Sequence, residues 1–189
     1  EEIAWLTGLV ENILNMTRIG ESQLVLNKEE EVVDDVVSDA LVHTQRLMRK
    51  HNFQAELPEK LLMIPMDGKL IVRVLINLLE NAARHTPIGS EIKLIVKDLG
   101  TQAEFCVEDS GEGIDEAIKS SLFERFVTVD KYLSDGKRGI GLGLAICKAI
   151  VEAHKGSIFT EDNQPHGTRF IFRLPMENSD GKTTENTGG

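Results

Sequence analysis

Two long alternating runs, 91–99 and 102–108, meet across Gly100-Thr101, and no other feature restricts the fold of this 189-residue chain so strongly. A two-residue connection joins antiparallel neighbours, whereas parallel strands need a crossover of about a dozen residues or more. A second pair of strand patterns, 157–160 and 168–174, reads as another hairpin. Apolar residues recur at helical spacing over 32–51, 68–85 and 142–154. Such alternation of strands and helices would also suit a doubly wound parallel fold. The hairpins favour an α+β arrangement instead: a two-layer α/β sandwich, with a mixed sheet and three helices on one face.

The remaining segments extend this scheme. Residues 22–30 read as a strand leading into the 32–51 helix, and 53–57 and 61–65 are short strand candidates. Residues 1–20 read as a helix in which Ile3, Leu6, Leu9, Val10, Ile13, Leu14 and Met16 form a broad apolar stripe. That stripe requires a partner, either the rest of the chain or a helix and a second subunit beyond it. The second reading is preferred, with the first residues marking a cut inside a longer protein. Residues 109–141 hold five spaced glycines among polar residues, and a loop this long is usually functional or mobile. Residues 177–189 have nothing to bury and read as a disordered tail.

Composition excludes several classes. The net charge of −10 and the lack of a basic stripe argue against nucleic acid. No apolar run approaches the roughly 18 residues of a membrane helix, and Glu1-Glu2 is not the start of a signal peptide. Cys106 and Cys147 stand far apart in apolar runs, so they read as small buried hydrophobes of a reducing compartment.

Three motifs carry chemistry. On the 68–85 helix, Ile71, Val74, Leu75, Leu78 and Ala82 form the core stripe. Asn77, Asn81, Arg84 and His85 fall at i, i+4, i+7 and i+8 and share a second one. Amide oxygens suit Mg²⁺ and a guanidinium suits phosphate; the competing reading is a solvated face, which asparagine serves poorly. Next, Asp109-Ser110-Gly111-Glu112-Gly113 follows a strand directly. An aspartate there can accept from the exocyclic amine of adenine, and the glycines let backbone approach a ligand; a plain turn is the alternative. Finally, Arg138-Gly139-Ile140-Gly141-Leu142-Gly143-Leu144 opens a helix, where free N–H groups and the helix dipole favour phosphate. No strand precedes this glycine repeat, so it is not a dinucleotide-binding motif. Between the last two lies Leu122-Phe123-Glu124-Arg125-Phe126, whose aromatics could pin a mobile lid to the core.

Taken in order, Asn77–Ala82, Asp109–Gly113, Phe123–Phe126 and Gly139–Leu144 resemble the N, G1, F and G2 boxes of sensor histidine kinases, and the resemblance covers about 22–175. Residues 139–149 and 5–18 are similar to the KdpD-like, potassium-responsive branch. The resemblance implies a Bergerat-type ATP-binding domain over 22–176, preceded at 1–20 by the C-terminal helix of a dimerisation and phosphoacceptor domain. It implies Asn81 as the Mg²⁺ ligand with Asn77 assisting, Arg84 and His85 toward the phosphates, and Asp109 on the adenine amine. Gly111, Gly113 and Thr168 would shape the base pocket. Phe126, Gly139, Gly141, Gly143 and Leu144 would belong to the lid and its hinge, with Arg138 as a phosphate contact. The implied partners are ATP, the acceptor helix of the kinase dimer and a response regulator. The implied location is the cytoplasmic part of a membrane-anchored sensor, with no direct membrane contact by this segment.

The chain departs from the pattern in two places. Val127 and Thr128 follow Phe126 where the family's lid often continues with an aromatic and a base. None of the five histidines, His43, His51, His85, His154 and His166, has the acceptor's sequence context, so the acceptor is expected outside these residues. Related ATPases carry a glutamate where this chain has Asn77, and an amide cannot act as a base, so transfer rather than hydrolysis is expected. Glu80 could substitute only from a different face of the helix. The alternative is a serine kinase of the same fold that acts as an anti-sigma regulator, against which the 5–18 helix argues.

Overall fold

The computed structural model describes residues 26–119, 121–124 and 142–177. In chain order the elements are β1 (Glu29–Val32), α1 (Val33–Met48), β2 (Asn52–Glu56), β3 (Met63–Met66), α2 (Gly68–His85), β4 (Glu91–Asp98), β5 (Gln102–Asp109), α3 (Glu116–Lys119), α4 (Gly143–Ala153), β6 (Ser157–Asp162) and β7 (Thr168–Pro175). The expected helix over 1–20 and the expected disordered tail from 178 onward lie outside the described residues.

Five strands form one mixed sheet in the order β2-β4-β5-β7-β6. β2 runs parallel to β4, and the other neighbours are antiparallel. Both expected hairpins are present. The first closes through Gly100, at φ +87°, with the Leu99 N–H donating to the Gln102 carbonyl at 2.9 Å. β1 and β3 make a separate antiparallel ribbon.

Strand alternation divides the sheet into two faces. The register aligns Leu94 with Val107 and Phe105 with Phe172, so these side chains point the same way. They join Ile92, Val96, Ala103, Phe170 and Leu174 in one core with Val36 and Val37 of α1, Ile71, Leu75 and Leu78 of α2, and Ile146 and Ile150 of α4. Phe105 and Phe172 stack with ring centroids 4.6 Å apart. α2 lies between α1 and α4 and packs on both. The other sheet face carries a central apolar row, Ile95, Cys106, Ile171 and Phe159, flanked by ion pairs. There Arg169 bridges Glu108 and Glu161 at 2.8 and 2.7 Å, and Arg173 pairs with Glu104 at 2.8 Å. Both cysteines are buried, and burial pushes each thiol up to about 12, which fits inert core residues.

The boundaries differ from the sequence reading where tertiary pairing competes with periodicity. α1 stops at Met48 rather than 51, because the chain turns to join the sheet: the Lys50 carbonyl accepts from Gly89 N–H at 2.8 Å and Asn52 N–H donates to the Ser90 carbonyl at 2.9 Å. The one-turn helix α3 has no apolar stripe to announce it. It starts at an Asp115 side chain that accepts from Ala117 N–H at 3.0 Å.

Candidate functional site

The register that aligns Ile92 with Asp109 puts the aspartate on the core face of β5, at the point where the strand leaves the sheet. Its side chain is 4% exposed. Oδ1 accepts from the Gly111 N–H at 2.8 Å and the Thr168 N–H at 3.3 Å. Burial raises the carboxyl's pKa, and these two donors offset part of that rise. Thr168, the first residue of β7, is itself buried at 5% exposure.

Gly111 seats this loop against the end of α2. A β-carbon there would lie 2.6 Å from the His85 carbonyl oxygen and 2.9 Å from Asp109 Oδ1. Gly167 serves the other side. Its φ is +114°, and a β-carbon would overlap the Asp109 carbonyl, so only glycine permits the approach. Gly113, at φ +81°, faces the Gly167 carbonyl. Asn163 Nδ2 donates to the Asp109 carbonyl at 2.8 Å, and His166 Nδ1 meets the Gly111 carbonyl at 3.1 Å. The β6–β7 connection is thus tied onto the Asp109 loop.

The polar stripe of α2 runs away from this corner. Asn77 and Asn81 are half-buried, whereas Arg84 and His85 are exposed. Asn77 Nδ2 is enclosed without a partner. A β-carbon on Gly143, the first residue of α4, would lie 3.8 Å from the Asn77 amide oxygen, so the α4 N-terminus closes against Asn77. Asn77 to Thr86 is nine residues, about 13 Å along the helix. One end of the stripe therefore meets helix N–H groups and the other a buried carboxylate. Arg84 pairs with Glu80 at 3.3 Å, which occupies the carboxylate considered as a substitute base. The neighbouring Arg84 charge and partial desolvation hold His85 below its usual range, with desolvation the larger cause. Leu144 packs on the core beside Gly143. Phe126, Arg138, Gly139 and Gly141 lie outside the described residues. Among those described, no cluster of His, Cys, Asp and Glu side chains could hold a metal.

Sequence reasoning missed Thr86, Asn163, His166 and Gly167 as parts of this corner. Asn163, His166 and Gly167 lie in a polar connection that reads as any loop, and only Gly167, directly before Thr168, carried a local signal.

Residues 66–178 match the family described as histidine kinase-, DNA gyrase B- and HSP90-like ATPase. The chain belongs to this family. Within it, the chain is 41% identical over 177 residues to the sensor protein KdpD of Clostridium acetobutylicum, covering 94% of this chain and 20% of that protein. It thus spans about a fifth of that relative's length. The solved Acinetobacter baumannii histidine kinase AdeS superposes with a TM-score of 0.76 at 28% identity, over 93% of this chain and 81% of that one. Histidine kinase ThkA, solved in complex with response regulator protein TrrA, gives 0.76 at 29% identity over 93% and 49%. The α+β fold is that of histidine kinase catalytic domains, so this is the ATPase-type catalytic domain of a sensor histidine kinase, with KdpD-like relatives. No helix among the described residues is long and apolar enough to cross a membrane.

Proposed function

We propose that this chain binds ATP·Mg²⁺ between the Asp109 corner and the start of α4, and presents the γ-phosphoryl group to a histidine outside residues 1–189. The observation that carries the reading is the pairing of ends on α2: a buried acceptor, Asp109, at one, and Asn77 against the α4 N-terminus at the other. The Asp109 carboxylate accepts from the adenine amine, with Gly111, Gly113 and Thr168 closing the pocket around the base. Phosphates lie toward Gly143, where the first N–H groups of α4 have no intrahelical partner. By the family resemblance, Gly139, Gly141 and Arg138 would add phosphate-side contacts and Phe126 would belong to the lid. His85, biased toward its neutral form, donates a hydrogen bond to phosphate without bringing a full charge, and Arg84 supplies the charge once it leaves Glu80.

Neutral amide oxygens on Asn81 and Asn77, together with phosphate oxygens, form a donor set that suits Mg²⁺. Bound there, Mg²⁺ would neutralise charge developing on the phosphates. The protein's part is positioning and electrostatics, which dominate phosphoryl transfer. Asn77 offers no base for water, so hydrolysis is slow and the group waits for its acceptor. His154 is excluded as that acceptor: it is 1% exposed, and both ring nitrogens are engaged. The acceptor belongs to the dimerisation helices to which residues 1–20 contribute, and the phosphoryl group passes from it to a response regulator. The chain then works as a cytoplasmic domain of a membrane-anchored sensor.

Calorimetry tests this with ADP and a non-hydrolysable ATP analogue, with and without Mg²⁺, against GTP. Adenine-selective binding strengthened by Mg²⁺ is expected. No binding at millimolar nucleotide would refute the reading.

A further inference from the structure

Thr86 ends α2 with an extended backbone, φ −122° and ψ 134°. Its side chain is 5% exposed, and Oγ1 is enclosed without a hydrogen-bond partner. Oγ1 lies 3.3 Å, and Asp109 Oδ1 2.9 Å, from the point where a β-carbon on Gly111 would sit. The hydroxyl and the carboxylate thus both lie close to Gly111. A buried hydroxyl left without an acceptor is unfavourable, and the charged acceptor sharing this corner is Asp109.

The two donors already on Asp109, from Gly111 and Thr168, both take Oδ1. They fix one oxygen but not the plane of the carboxylate, whose terminal torsion is broad. A third donor, from the end of α2, would fix the plane. We propose that Thr86 is a positioning residue for adenine recognition, its hydroxyl donating to the Asp109 carboxylate as the base enters and turning it to accept the amine. This rests on the ATP reading above. Once made, that bond would also favour the ionised form of Asp109, in the same direction as the two backbone donors.

Binding of ADP and GTP to Thr86→Val, Thr86→Ser and Asp109→Asn variants of the full chain, measured by calorimetry from acidic to neutral pH, tests this. Valine keeps the shape of threonine and removes the hydroxyl. Thr86→Val is expected to weaken ADP about tenfold or more at neutral pH, narrow the preference over GTP, and move the acidic loss of binding to higher pH. Thr86→Ser restores all three. The other titratable groups around the corner are His85, Glu91, Glu112 and His166, with the Glu108–Arg169 pair on the opposite sheet face. They are common to every variant, so differences at each pH isolate Thr86. If Thr86→Val binds ADP like the parent with the same pH limb, the proposal is overturned. If the parent itself fails to bind ADP, the nucleotide reading fails first. If the parent binds and Asp109→Asn does not, only the role of Thr86 is at stake. Should the valine variant not fold, Thr86→Ala against Thr86→Ser makes the same comparison, and equal affinities overturn the proposal.

Discussion

Burial raises the pKa of Asp109, and the donors around it offset this only in part. A carboxyl less acidic in the folded chain than in the unfolded one holds its proton longer when folded. Its contribution to stability is therefore full below the unfolded value of about 4 and is lost as pH rises through the folded value. Ionised Asp109 thus weakens the empty fold at neutral pH, a burden accepted for an acceptor aimed at the base. Asp109→Asn keeps an oxygen for Gly111 and Thr168 but can place an amine opposite the adenine amine. The expected outcome is a loss of adenine nucleotide binding of about 100-fold or more, with a melting temperature at neutral pH equal to or above the parent's. Calorimetry and thermal melts check both, and the gain in melting temperature should vanish near pH 4. Gly167→Ala has the opposite sign. It strains a φ of +114° and drives a methyl into the Asp109 carbonyl. The expected loss is about 2–4 kcal/mol in urea unfolding, together with nucleotide affinity.

Helices α4 and α2 are clipped together by a histidine. His154 Nε2 accepts from the Asp67 N–H at 3.0 Å, so Nδ1 carries the proton and donates to the Ile150 carbonyl at 2.7 Å. Asp67 in turn caps α2 by accepting from the Leu70 N–H at 3.3 Å. Burial is the main cause that lowers the pKa of His154, and the same cause lowers those of His51 and His85. A base that resists protonation when folded contributes stability that is full above its unfolded value of about 6.5 and is lost as pH falls toward the folded one. The urea midpoint is expected to fall between pH 7 and pH 5. His154→Ala should lower stability by about 2 kcal/mol at pH 7 and flatten that dependence. What was legible beforehand follows from locality. The boundaries of α2 matched the reading, 68–85, because cap, periodicity and terminus lie within one segment. Both hairpins were legible for the same reason. The clip was not, because His154 finds its partner 87 residues away. Asp109, Gly111 and Gly113 stood out through residue type and spacing, whereas Asn163 and His166 acquire meaning only once β6 and β7 pair. Thr86 carried no local signal, and its hydroxyl gains meaning only where the fold encloses it.

At the scale of the whole molecule, the proposed nucleotide site joins parts far apart in the chain: α2, the 109–113 loop, the start of α4 and the start of β7. A ligand spanning them binds the folded chain and not the unfolded one, so its affinity appears as stability. At a ligand concentration about 100 times Kd the gain is about 2.7 kcal/mol, which for a domain of this size raises the melting temperature by about 5–10 °C. Asp109 and Asn81 divide that gain into separable parts. ADP with Mg²⁺ should give the full rise, and ADP with a chelator a smaller one. Asn81→Ala should keep the smaller rise and lose the Mg²⁺ increment, and Asp109→Asn should lose both. GTP should give little, because its base presents a carbonyl where adenine presents an amine to Asp109. Fluorescence melts over these combinations read the two roles independently. A rise indifferent to Mg²⁺ in the parent would remove Asn81 as a ligand while leaving the base pocket standing. An equal rise with GTP would remove Asp109 as the selector while leaving the phosphate end, with Asn77 against α4, in place.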